Sequence, residues 1–142
     1  MYRDILITVD LGDEASWKQA LPTAVEYARA FGSRLHVMTV VPDFGMSIVG
    51  SFFPEDYEKK AMARADERLH AFVREHVPEG LPVQHIVGHG TIYGEILRVA
   101  DEIDADLIVM GSHRPELKDY LLGPNAARVV RHADTSVLVV RS

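Results

Sequence analysis

The sequence contains no cysteine. Disulfide bonds, thiol catalysis and cysteine-ligated metal sites are therefore excluded. No apolar run approaches the roughly 20 residues that a membrane-spanning helix needs. Residues 1–10 lack the basic, apolar and small-residue order that is typical of a signal peptide. We therefore expect a cytoplasmic location and no membrane partner.

Basic residues are also in the minority. The chain has 15 Lys and Arg against 21 Asp and Glu, which gives a net charge of −6 with His neutral. Broad nucleic-acid binding needs a basic face that displaces counterions, so no nucleic-acid partner is expected. The length of 142 residues and the hydrophobic content of 47% are instead typical of one domain with its own core.

Two hydrophobic periods alternate along the chain. Short runs that are apolar on both faces predict strands at 3–9, 35–41, 83–87, 106–110 and 136–141. Apolar residues at helical spacing predict helices at 15–31, 54–77, 91–103 and 124–132. Strands that alternate with helices run mostly parallel, in a sheet covered on both faces. Residues 1–142 are therefore predicted to form a single doubly wound α/β domain with a five-stranded parallel sheet.

Such sheets bind ligands outside the carboxyl ends of their strands. The segments after the first four predicted strands are Asp10–Gly12, Val41–Asp43, Gly88–Gly90 and 111–125. The GxGxxxG string at 88–94 is interpreted as a tight turn into a helix. A dinucleotide fingerprint belongs after the first strand and needs an acidic residue after the next one.

The apolar stretch at 42–56 is interpreted as a loop that folds back on the domain. A lid or a partner contact is the alternative interpretation.

The segment GSHRPELKDYLLGPN at 111–125 has a glycine near each end. Gly111 ends a predicted strand, and Pro124 suits the first position of the following helix. The amides of Asn125 and Ala126 then point outward at a helix N-terminus, where they attract anions. The spacing alone leaves a phosphate site and an ordinary strand-to-helix connection equally open.

The whole chain resembles the universal stress proteins. The resemblance rests on ILITVD at 5–10, GSH at 111–113 and LLGPNAARVVRHADTSVLVV at 121–140, and it implies the strand order 3-2-1-4-5. In nucleotide-binding members the loop after strand 4 reads Gly, two residues, Gly, nine residues, Gly, then Ser or Thr. Here Arg114 stands at the second glycine, eight residues precede Gly123, and Pro124 replaces Ser or Thr.

The resemblance implies a binding site for ATP, ADP or AMP. Asp10 would meet the ribose, the backbone of Val40 would read adenine, and Arg114 would offer a guanidinium to phosphate. The implied nucleotide-binding residues are Thr8, Asp10, Val40, Met110, Gly111, Ser112, His113, Arg114, Gly123, Pro124, Asn125 and Ala126. Read from the residues alone, Asp10 is a helix or turn cap, and Val40 and Met110 are core residues. Any Mg²⁺ would be held largely by nucleotide phosphates.

The last predicted strand would lie at the edge of the sheet. An apolar edge strand is an aggregation hazard unless it is paired, and two-fold dimers are the commonest assembly. We therefore expect a homodimer through residues 136–141, with Val137, Val139 and Arg141 on the shared strand.

Catalytic motifs are lacking. There is no Gly-x-Ser-x-Gly elbow and no Walker A string. His85 and His89 flank the end of the third strand, and no metal ligation is expected of them. The sequence predicts an ATP-binding regulatory protein of the stress response that acts as a dimer, with at most very slow ATP hydrolysis or self-phosphorylation. The alternative is a nucleotide-free dimeric interaction protein of the same family.

Overall fold

The computed structural model describes residues 1–42, 57–112 and 123–141. Its strands are β1 Asp4–Thr8, β2 Arg34–Pro42, β3 Val83–Gly90, β4 Leu107–Gly111 and β5 Ser136–Val140. Its helices are α1 Ala20–Phe31, α2 Tyr57–His76, α3 Ile92–Glu102 and α4 Pro124–His132, and a 3₁₀ turn covers Glu14–Ser16. Residues 43–56, which include most of the predicted fold-back loop, lie outside the described part of the chain, as do the predicted site residues His113 and Arg114.

All five strands are parallel and lie in the order β3-β2-β1-β4-β5. The predicted doubly wound α/β fold and its strand order are confirmed. Neighbouring residues on each strand point to opposite faces. Ile5 and Ile7 pack under α1 and α2, whereas Leu6 packs under α3 and α4. Both faces are buried, which explains why the strand sequences are apolar without alternation. Among the described helices, none has the length and apolar character that crossing a membrane requires.

The helix predicted at 15–31 is shorter than expected. A 3₁₀ turn precedes it, and α1 begins at Ala20. The Asp13 carboxylate accepts from the Ala15 N–H at 3.1 Å, and the Ser16 hydroxyl donates to the Asp13 carbonyl at 2.7 Å. These local side-chain bonds compete with regular helix. The apolar Trp17 therefore belongs to the connection, where its ring lies 4.9 Å from that of Phe72 on α2.

The third strand is longer than predicted: Gly88–Gly90, expected after the strand, forms its end, and the tight turn into the following helix is confined to Thr91. β3 runs to Gly90 and pairs with β2 as far as Pro42. The backbone N–H of His89 donates to Oε1 of Glu95 at 2.9 Å, which ties the end of the strand to α3. A Cβ on Gly88 would lie 2.9 Å from Cε of Met38. That glycine therefore serves close packing within the sheet. Of the two glycines, Gly90 is the one with a positive φ, 135°, and it needs the conformational freedom of glycine.

Candidate functional site

A cavity of about 1010 Å³ opens at the carboxyl edge of the sheet. It is lined by the ends of β1, β2, β3 and β4, the turn after β1, one face of α2, and the first residues of α3 and α4. Small-molecule sites usually occupy about 300–1000 Å³, so the space suits a ligand as large as a nucleotide. The position agrees with the general rule for open parallel sheets.

The cavity brings together most of the predicted site residues. Those that line it are Thr8, Asp10, Val40, Met110, Gly111, Gly123, Pro124, Asn125 and Ala126. Ser112 is not among the lining residues: it is 7% exposed, and its N–H donates to the carbonyl of Val140 at 3.0 Å. Ser112 therefore ties the end of β4 to β5.

Two helices begin at this cavity. Thr91 precedes α3 and Gly123 precedes α4, and neither residue makes a side-chain capping bond in the described chain. The first N–H groups of a helix have no partner within it, and together with the helix dipole they attract anions. Pro124 has no N–H, so Asn125 and Ala126 supply the first free amides of α4. The arrangement suits a ligand that carries negative charge.

The turn after β1 is held by Asp10. Its Oδ1 accepts from the Gly12 N–H at 2.9 Å, and its own N–H donates to Oγ of Ser16 at 2.9 Å. The interpretation of Asp10 as a turn cap is therefore confirmed. Its predicted contact with a ribose would use the second carboxylate oxygen and stays a prediction.

The hydroxyl of Thr8 is buried at the end of β1. Among the described residues Oγ1 has no hydrogen-bond partner. Leaving a buried hydroxyl unpaired costs about 1–3 kcal/mol. Thr8 lines the cavity, where a polar ligand would offer a partner.

Gly111 has a structural role that the sequence did not reveal. A Cβ at this position would lie 2.8 Å from the carbonyl oxygen of Ser16 and 3.4 Å from that of Ala15. The glycine therefore lets the 3₁₀ turn pack directly on the end of β4. Close approach of a ligand to Gly111 stays a prediction.

Gly111→Ala is expected to lower the free energy of unfolding by about 1–3 kcal/mol, as overpacking does elsewhere. The added methyl meets backbone atoms, so the turn and β4 must move apart. Urea denaturation measures the loss. Gly12→Ala is the matched control, because its Cβ would lie 3.5 Å from Oδ1 of Asp10, at ordinary contact distance. A Gly111→Ala protein as stable as wild type would contradict the packing argument.

The wall formed by α3 is fixed by an ion-pair network. Nε and a terminal nitrogen of Arg98 donate to the Glu95 carboxylate at 2.8 and 2.9 Å. The hydrogen bond from Arg98 lowers the pKa of Glu95, and the bond from the His89 N–H lowers it further. Glu95 is thus an ionised structural group that orders the end of β3.

The histidines of β3 contact α2. The ring of His85 stacks on His70 with centroids 3.8 Å apart. Burial lowers the pKa of His85, and the adjacent His70 lowers it further. Nδ1 of His89 lies 2.8 Å from Oε1 of Glu58. Among the described residues there is no cluster of three or more His, Asp or Glu side chains that could hold a metal ion.

Helix α2 adds lining residues that the sequence analysis missed. They are Ala61, Arg64, Ala65 and Arg68. Their spacing of three and four residues marks one face of a helix, and this was the available signal. The sequence analysis named no ligand-binding residue on this helix, because the binding rule for parallel sheets points only to strand ends.

Comparisons with known proteins agree over the whole chain. The family model described as "Universal stress protein family" matches residues 1–141. Universal stress protein G of Escherichia coli O157:H7 is 31% identical over 143 residues, covering 99% of this chain and 100% of that protein.

Solved structures agree as well. MJ0577, from Methanocaldococcus jannaschii, is 26% identical with a TM-score of 0.75, covering 100% of this chain and 97% of that one. The universal stress protein of Archaeoglobus fulgidus in complex with dAMP is 24% identical with a TM-score of 0.58, covering 97% of each chain.

Proposed function

The chain belongs to the universal stress protein family, and from that premise we propose that it binds an adenine nucleotide in the cavity at the carboxyl edge of its sheet. The observation that carries the proposal is the convergence of two helix N-termini on one cavity. The unpaired hydroxyl of Thr8 in the same cavity supports it. The Archaeoglobus fulgidus relative, solved with dAMP, shares the fold, and the ligand is carried over as part of the proposal.

The proposed nucleotide spans the cavity. The amides of Asn125 and Ala126 meet the phosphates, Asp10 meets the ribose, and the backbone of Val40 meets adenine. A helix N-terminus contributes about 0.3–2 kcal/mol toward an anion, and a charge-assisted hydrogen bond about 1.5–3 kcal/mol. Two or three such contacts with a buried base reach the roughly 8 kcal/mol of a micromolar ligand. Bound Mg²⁺ stays a prediction, with the phosphates as its main ligands.

We further propose that the protein is a homodimer that acts as a regulator in the stress response. β5 is the edge strand and pairs with β4 in the described sheet, and Val137 and Val139 are half-buried. Pairing with a second β5 would cover that edge. The nucleotide state would alter the surface that a partner reads. A cytoplasmic location stays a prediction.

Asp10→Asn is expected to weaken ATP and adenosine alike, by about tenfold, because one charge-assisted contact to the ribose is lost. The amide oxygen can still accept from the Gly12 N–H, so the turn should persist. Asp10→Ala removes both interactions and should also lower the melting temperature. Titration calorimetry with ATP and adenosine measures the affinities. Wild-type protein that releases no heat with ATP at tens of micromolar would favour the nucleotide-free alternative.

We expect negligible turnover, with ATP hydrolysis far below the roughly 1–1000 per second of typical enzymes. The sequence offers no base or nucleophile with an orienting partner. A phosphate-release assay on protein free of contaminating ATPase tests this. Robust steady release that is lost in His113→Ala would show catalysis and contradict the expectation.

A further inference from the structure

We propose that Arg64 and Arg68 of α2 bind the phosphate chain and make the cavity selective for nucleoside polyphosphates. The inference rests on the proposed nucleotide site and names the charges that would recognise its ligand. Both arginines line the same cavity as the N-terminus of α4. Both lie on α2, outside the glycine-containing loop after β4 to which the family resemblance assigns phosphate binding.

The face of α2 at the cavity is built for this contact. Ala61 and Ala65 occupy the lining positions three residues before each arginine. Residues three and four apart are neighbours on a helix surface, so the methyl groups leave open space beside the arginine stems. Helix α2 packs on β2 and β3, so the two guanidinium groups would reach the phosphate chain from the side of those strands.

The charges of both arginines are available to a ligand. Both side chains are exposed, and among the described residues neither forms a salt bridge. Arg98 shows the contrast, since it bonds Glu95 at 2.8 Å and Glu102 at 2.7 Å. A protein with a net charge of −6 thus keeps two cations at the wall of this cavity.

The described carboxylates at the cavity form no ion pair with these cations. Asp10 uses Oδ1 to accept from Gly12, and Asp13 uses Oδ1 to accept from Ala15. Both acids belong to the turn after β1, and neither pairs with an arginine of α2. Among the residues that line the cavity, the arginines lie on α2 and the carboxylates lie on the turn after β1.

Among the described residues, the phosphate side of the site offers few positive charges, and the two arginines would add to them. Pro124 offers no N–H, and a helix N-terminus supplies only about half an elementary charge. Guanidinium groups bind phosphate oxygens with paired, charge-assisted hydrogen bonds. The affinity order should therefore be ATP, then ADP, then AMP, with uncharged adenosine weakest.

The test uses Arg64→Gln and Arg68→Gln in the full chain, with Arg74→Gln as the matched control. Arg74 lies on the same helix and carries the same charge, but it does not line the cavity. The probes are ATP, adenosine and inorganic tripolyphosphate. Titration calorimetry without metal measures the affinity of each variant for each probe. Each cavity variant is expected to weaken ATP and tripolyphosphate by about tenfold. Adenosine should change less than twofold, and Arg74→Gln should leave all three affinities unchanged.

The outcomes separate this inference from the proposed function. If the cavity variants bind ATP as the Arg74→Gln protein does, the inference is overturned and the nucleotide site stands. If adenosine weakens as much as ATP, the arginines do not read phosphate and the inference is overturned. If wild type binds tripolyphosphate through these arginines but binds neither ATP nor adenosine, the proposed function fails and the anion contact survives. Binding of none of the probes overturns both.

Discussion

Gly123→Asp is expected to abolish ATP binding while leaving the fold intact. Gly123 is buried at the cavity, with φ of −63° and ψ of 158°, a conformation that any residue adopts. Aspartate is among the best N-cap residues, because its carboxylate accepts from the first free amides of a helix. Those are the amides that would bind phosphate. The substitution therefore caps α4, removes its donors and adds a negative charge among the phosphates. The affinity should fall by at least about 100-fold, or roughly 3 kcal/mol.

The matched control is Gly123→Asn, which has the same shape and also caps helices well. It should weaken ATP less than aspartate does, and the difference between the two measures the charge repulsion. Calorimetry gives the affinities, and thermal unfolding verifies that both variants keep the fold. A Gly123→Asp protein that binds ATP as wild type does would show that α4 does not hold phosphate.

Val139→Lys is expected to convert the proposed dimer to monomer. Val139 is half-buried on the edge strand β5, opposite Met110 in the register with β4. A two-fold interface contains each residue twice, so the loss of the remaining burial of the half-buried Val139 counts twice, or about 1.5–3 kcal/mol. Lysine on an edge strand also opposes pairing with another strand. The dissociation constant should rise by at least about 100-fold.

Sedimentation over a concentration series measures this shift. Val130→Lys is the control, because it is the same substitution at a residue that is 47% exposed on α4 and does not belong to β5. Val139 does not line the cavity, so its variant should keep the nucleotide affinity. Wild-type protein that sediments as a monomer at high concentration would contradict the proposed interface.

The fold was largely predictable from the residues, and each error in the prediction has a specific structural cause. Runs such as Leu107–Met110 indicated strands buried on both faces, as found. The strand order came from the family resemblance, because apolar runs do not specify which strands are neighbours. Gly88 was misinterpreted as a turn residue. A side chain there would collide with Met38, and this contact with a residue fifty positions earlier cannot be seen in the local sequence. The early start of the first helix was wrong because Asp13 and Ser16 form a local turn there.

The site was predicted less completely, since cavities depend on residues far apart in the chain. The strand ends and the start of α4 were identified because their positions follow from topology and helix-capping chemistry. Arg64 and Arg68 were missed because only the packing of α2 turns them toward the cavity. The packing role of Gly111 was also missed, because the Ser16 carbonyl that lies against it is almost a hundred residues earlier in the chain.

The cavity wall draws on residues from Thr8 to Ala126, and this has a thermodynamic consequence. No partly unfolded chain keeps the whole wall, so a ligand there would bind the native state alone. By mass action, such a ligand at 100 times its dissociation constant adds about 2.7 kcal/mol to the stability of the entire domain. Rising ligand concentration would thereby protect every element of the fold at once. The lifetime of the protein would then follow the supply of its ligand, independently of any change in surface shape.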